Sequence, residues 1–109
     1  GRVEIIERQE EANKLHADSS VVKLFYREAQ LYGCYSLTWG NSKGLDHFED
    51  VCVVLNSSTW LSLQKDTLRE MAPLTRNKLY VACSRARGNM YLVPETLFKK
   101  FKANRNKVA

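Results

Sequence analysis

Apolar residues recur in two rhythms along the chain. Leu79, Ala82, Cys83 and Ala86 fall at the i, i+3, i+4 and i+7 spacing of one helical face, predicting a helix over about residues 75–86. Residues 51–55 are continuously apolar, as suits a strand buried on both faces of a parallel sheet. Residues 21–26 and 35–39 are further strand candidates, rich in β-branched and aromatic side chains, and residues 90–93 are a fourth. Between them lie a helix expected over 3–16, with Val3, Ile5, Ile6, Ala12 and Leu15 as its apolar set, and one over 58–71. Ser57 and Ser58 are positioned to cap the second, with Trp60, Leu61, Leu68 and Met71 turned inward. Gly88 and Asn89 read as a helix stop. Pro94 would open a last amphipathic helix carrying Leu97, Phe98 and Phe101. Strands alternating with helices predict an α/β layer structure with a mainly parallel sheet.

Composition narrows the setting. A chain of 109 residues with 44% hydrophobic and 27% charged content can hold one small packed domain, or part of a larger one. It opens on Gly1 rather than Met, which reads as a piece cut from something longer or a tag remnant. The longest clean apolar run, residues 51–55, is far short of a membrane span, so no membrane partner is expected. Cys34, Cys52 and Cys83 are scattered with no CxxC pair, which argues against a disulfide framework or a zinc site and for a reducing, cytoplasmic setting. His16 and His47 have no neighbours at metal-ligand spacing.

Charge changes the picture further. The net charge is +5, and residues 75–109 hold nine Lys or Arg against one acid, Glu95, whereas residues 1–18 hold three against five. A polyanion nearby, nucleotide or nucleic acid, is one reading of that imbalance. A solvated basic tail over 99–109, with Lys99, Lys100, Lys102, Arg105 and Lys107, is the other, and the one favoured for those five residues.

Two segments carry candidate chemistry. The first, TWGNSKGLDHFEDV from Thr38, runs strand, polar glycine turn, acids, strand. Loops at strand ends are where ligands collect in open α/β sheets, and small residues let backbone N–H groups approach a phosphate. Lys43 could add a point charge and Asp46 could accept from a sugar hydroxyl. The segment lacks the GxxxxGK[ST] spacing of a Walker A loop. Trp39 could stack on a base, although core packing is its more common use. The second segment, LYVACSRARGNMYLV, presents Arg85 near the end of a helix. A guanidinium suits phosphate because its planar fork donates two hydrogen bonds at once and stays charged. Tyr80 on that helix reads as core.

Taken in order, these segments resemble motifs V and VI of the UvrD/Rep-like helicases of superfamily 1. There motif V runs roughly T-x-H-x-S-K-G-L-E-F-D-x-V before an apolar strand, and motif VI runs L-Y-V-A-x-[ST]-R-A before another. The resemblance covers about residues 35–93, with Gly40 in place of the usual motif V histidine and one extra residue between Leu45 and Phe48.

The resemblance implies the later part of a second RecA-like domain, of the P-loop NTPase type, spanning 1–109 as one domain fragment. It implies an ATP-dependent helicase whose Arg85 reaches the γ-phosphate of ATP with Mg2+, bound mainly by an N-terminal RecA-like domain outside this chain. Gly44 and Asp46 would touch nucleotide, with Glu49 the alternative to Asp46. Thr38, Trp39, Ser42 and Lys43 would touch single-stranded nucleic acid, DNA before RNA. With neither Walker A nor Walker B, these residues alone would not hydrolyse ATP. A degenerate, non-catalytic module that binds nucleic acid or protein is the alternative.

Overall fold

In the computed structural model, which describes residues 1–42 and 48–103, alternation in the sequence becomes a three-layer α/β fold. Five strands, β1 (Val3–Ile5), β2 (Val22–Phe25), β3 (Ser36–Thr38), β4 (Val51–Leu55) and β5 (Met90–Pro94), form one sheet of order β1-β5-β4-β2-β3. Every pairing is parallel. The helices are α1 (Gln9–Ala17), α2 (Ser57–Gln64) and α3 (Pro73–Cys83), joined by short 3-10 turns. None of the helices among the described residues is long and apolar enough to cross a membrane.

The order of the strands decides which face each helix covers. The β1-to-β2 crossover runs across the sheet in one direction, and the β3-to-β4 and β4-to-β5 crossovers run in the other. Right-handed crossovers in opposite directions must lie on opposite faces. Accordingly Lys23, Phe25, Cys52, Val54 and Val93 face α1, where Ala12, Tyr32 and Phe98 complete one core. Their alternating neighbours Val22, Leu24, Val51, Val53, Leu55 and Leu92 face α2 and α3, packing on Trp39, Leu79 and Ala82. The continuous burial of β4 follows from its place between β5 and β2 with both faces covered.

Several elements differ from the sequence expectation, each for a tertiary reason. Residues 3–5 are a strand because Val3, Glu4 and Ile5 pair with Met90, Tyr91 and Leu92 on the free edge of β5, and the helix begins only at Gln9. Val3 and Ile5 consequently stay exposed at the sheet edge. The second helix stops at Gln64, after which a 3-10 turn, Leu68–Glu70, carries Leu68 and Met71 back onto the core, while Leu61 faces solvent. Asn56, not Ser57 or Ser58, occupies the N-cap of α2. α3 ends at Cys83 with Ser84 as its right-handed C-cap, so Gly88 is not a helix stop. Tyr80 points outward and is exposed rather than core. After Pro94 the chain forms two 3-10 turns, not a continuous helix, because Phe98 is drawn fully into the core between them.

One buried group had no sequence signal. Lys23 is fully buried in the middle of β2, in register with Ser36 on one side and Cys52 on the other. Its ammonium donates to the Asp18 carbonyl oxygen at 2.5 Å. Burial pushes the Lys23 pKa down, while the nearby thiols of Cys34 and Cys52 and the Asp18 carboxylate pull weakly the other way.

Candidate functional site

The two motif-bearing segments meet at the amino-terminal edge of the sheet. Phe48, just before β4, forms a parallel bridge with Ala86, just before β5. The Phe48 N–H donates to the Arg85 carbonyl at 2.8 Å, and the Arg87 N–H donates to the Phe48 carbonyl at 2.7 Å. The Gly88 N–H then donates to the Glu49 carbonyl at 2.5 Å, and the Asn89 N–H to the Asp50 carboxylate at 2.9 Å. Five residues of one segment are thus laced to three of the other before the ladder proper begins at Val51 and Met90.

Gly88 is a requirement of that lacing. A Cβ there would lie 2.5 Å from a Glu49 carboxylate oxygen, 2.7 Å from an Asp50 carboxylate oxygen and 2.9 Å from the Glu49 carbonyl oxygen. Only the absence of a side chain lets the two backbones close. The Gly88–Asn89 pair and Asp50 form a brace with no sequence signal of its own, because a Gly-Asn dipeptide has the same local signature at a helix terminus.

Arg85 sits in the turn between α3 and β5, one residue beyond Ser84, rather than within the helix. It is half-buried, and its Nη2 donates to the Ser84 hydroxyl at 3.1 Å. Arg87, exposed, lies two residues on. The Ser84 hydroxyl itself donates to the Val81 carbonyl at 2.7 Å, so the groups in the turn that suit phosphate oxygens are the two guanidiniums. No group of three His, Cys, Asp or Glu side chains among the described residues could hold a metal ion.

The upstream polar residues lie elsewhere. Thr38 is at the carboxyl-terminal end of β3, the opposite end of the sheet from Arg85, and its hydroxyl accepts from the Asn41 N–H at 3.2 Å. Trp39 is fully buried, its indole N–H donating to the Leu24 carbonyl at 3.1 Å and its ring edge-on to Tyr26. A base could not reach it, so the nucleic-acid contact expected of Trp39 is corrected to core packing. Ser42 is likewise fully buried, and its hydroxyl donates to the Trp39 carbonyl at 2.7 Å, which removes it from the contacting set. Gly40 lies against the Lys78 side chain of α3. Lys43, Gly44 and Asp46, to which phosphate, ribose and nucleic-acid roles are assigned, lie outside the described residues, as does His47.

The thiols are free, and burial pushes all three upward, Cys83 to about 11. His16 is held structurally: its Nε2 lies 2.7 Å from the Tyr32 carbonyl and its ring stacks on Phe101 at 3.7 Å.

No protein-family model matches the chain, and no curated protein or solved structure matches it either. The reading of the site accordingly stands on its residues and their geometry.

Proposed function

We propose that this chain is the later part of a second RecA-like domain of an ATP-dependent nucleic-acid helicase, acting from the arginine side of an ATP site. The observation that carries the reading is the Phe48–Ala86 bridge. It ties the end of the glycine-turn segment to the turn bearing Arg85, so both segments would move as one body when a nucleotide binds. Five parallel strands with helices on both faces support the RecA-like assignment without being specific to it.

In this reading, ATP and Mg2+ are held by a separate RecA-like domain. Arg85 closes onto the γ-phosphate from across the cleft, stabilising charge on the transferring phosphoryl group. ATP supplies the phosphoryl transfer; this chain's part is to hold the guanidinium at a fixed height above the sheet edge. With Trp39 and Ser42 fully buried, the proposed nucleic-acid contacts are Thr38 and Lys43.

The test has two parts. The 109-residue chain alone should show only background ATP hydrolysis. In the protein that carries the phosphate-binding domain, Arg85→Ala should lower hydrolysis by about 10³-fold or more while nucleotide binding persists. Unchanged hydrolysis would remove Arg85 from the mechanism. Turnover by the isolated chain would overturn the reading altogether.

A further inference from the structure

We propose that Cys34 is a site of oxidative modification, at which a peroxide joins the cysteine sulfur to the side-chain nitrogen of Lys23. This inference does not depend on the helicase reading.

The fold gathers the reacting groups on the α1 face of the sheet. Lys23 stands in β2 in register with Ser36 on β3 and Cys52 on β4, so the three side chains share a face. Its ammonium reaches back to the Asp18 carbonyl, toward the amino-terminal end of the sheet. Cys34 lies at that same end, two residues before Ser36, and packs against the α1-face core. The Lys23 N–H donates to the Tyr35 carbonyl at 3.0 Å, which holds the residue after Cys34 directly against β2.

Access separates the two thiols of this cluster. Gly33 takes a left-handed turn, φ 64°, so Cys34 enters the cluster while Gly33 and Tyr35 on either side of it stay exposed. Cys34 is only half-buried and open to a small oxidant, whereas Cys52 is fully buried in the middle of the sheet. Burial also pushes the Cys52 thiol far upward, which keeps it protonated and a poor competitor for an oxidised neighbour.

Lys23 supplies both the base and the trap. Burial disfavours a lone charge on either group, so Lys23 gives up its proton more readily than an ordinary lysine. The neutral amine then takes the Cys34 proton, leaving ammonium and thiolate side by side rather than one isolated buried charge. The thiolate sulfur attacks one oxygen of hydrogen peroxide and the O–O bond breaks. The departing hydroxide takes the ammonium proton and leaves as water; sulfur is oxidised to the sulfenic acid and peroxide is reduced. The regenerated amine attacks that sulfur, the S–O bond breaks, and the hydroxide leaves as a second water with a proton from nitrogen. The product is an S–N bond that ties β2 to the segment entering β3.

Peroxide treatment of the folded chain, followed by tryptic digestion without reductant and mass spectrometry, tests the site. Trypsin cuts after Arg27, so the linkage should join residues 15–27, uncut at Lys23, to residues 28–43. The joined pair should be two hydrogens lighter than the separate peptides, and a thiol reductant should release them. Lys23→Met should abolish the linkage and slow the loss of the Cys34 thiol about ten-fold or more. In urea, where the cluster is dispersed, the linkage should be lost from the parent chain as well. Cys34 joined instead to residues 44–65, which carry Cys52, would overturn the inference. So would Cys34 oxidised with Lys23 unmodified, equal linkage in urea, or a Lys23→Met variant that loses its thiol at the parent rate. No nucleotide is involved, so this result and the hydrolysis test on Arg85 can fail separately.

Discussion

Replacing Gly88 with alanine tests whether the two segments are locked together as the lacing at the sheet edge implies. No left-handed φ is involved at Gly88, so the added cost is steric. The new Cβ meets three oxygens within 3 Å, and they are not equivalent. The Glu49 carboxylate ends an exposed, flexible side chain and can swing away cheaply. The Asp50 carboxylate can move only by giving up its hydrogen bond from the Asn89 N–H. The Glu49 carbonyl, at 2.9 Å, is backbone already bonded to the Gly88 N–H and cannot yield without separating the strands. Overpacking of this kind costs ~1–3 kcal/mol, and a lost charge-assisted hydrogen bond falls in the same range, so a loss of ~2–4 kcal/mol is expected. At a urea m-value of ~1–2 kcal/mol/M for a chain of this size, the unfolding midpoint followed by tryptophan fluorescence should fall by ~1–4 M. Glu49→Ala, which removes the nearest oxygen, should leave most of the penalty in place when combined with Gly88→Ala. A Gly88→Ala midpoint within 0.3 M of the parent, or full rescue by Glu49→Ala, would show that the backbones do not meet as described.

Three further outcomes follow from the interior. Lys23→Met should stabilise the chain by ~1–3 kcal/mol, because relief of a several-kcal/mol desolvation cost exceeds the ~1.5–3 kcal/mol of the lost bond to the Asp18 carbonyl. The Lys23 pKa is lowered in the folded state, so between that value and the ordinary 10.5 the unfolded chain binds the extra proton and parent stability rises with pH. The advantage of the methionine variant, read from urea midpoints across that window, should therefore shrink as pH increases; a constant advantage would contradict a desolvated ammonium. Trp39→Phe should cost ~2 kcal/mol through the lost bond to Leu24 and the void beneath Tyr26, read by thermal unfolding; a cost near zero would put the indole at the surface. Cys83, its pKa raised to about 11, should react with a thiol reagent at pH 8 far more slowly in the folded chain than in urea, and equal rates would place it in solvent.

Periodicity alone located most of the regular structure. Val51–Leu55 appears as a strand with the bounds its apolar run predicts, and Leu79 and Ala82 are buried on the face their spacing assigns. These elements were legible because each carries its own burial pattern within a few residues. The candidacy of Arg85 has another source, residue identity and order across two separated segments, although its place in a turn rather than on the helix is not in that pattern.

What the linear sequence determined, then, is the layer type, the central strand, the inward face of α3 and the candidacy of Arg85. The tertiary structure alone decided that Val3–Ile5 is a strand, since that depends on a free edge at β5, 85 or more residues away. It also withdrew Trp39 and Ser42 from any ligand, made Gly88 a point of backbone contact, and gathered Lys23, Cys34 and Cys52 on one face of the sheet. Those outcomes turn on which groups distant in the chain compete for the same volume, and a local pattern of apolar and polar residues does not contain that information.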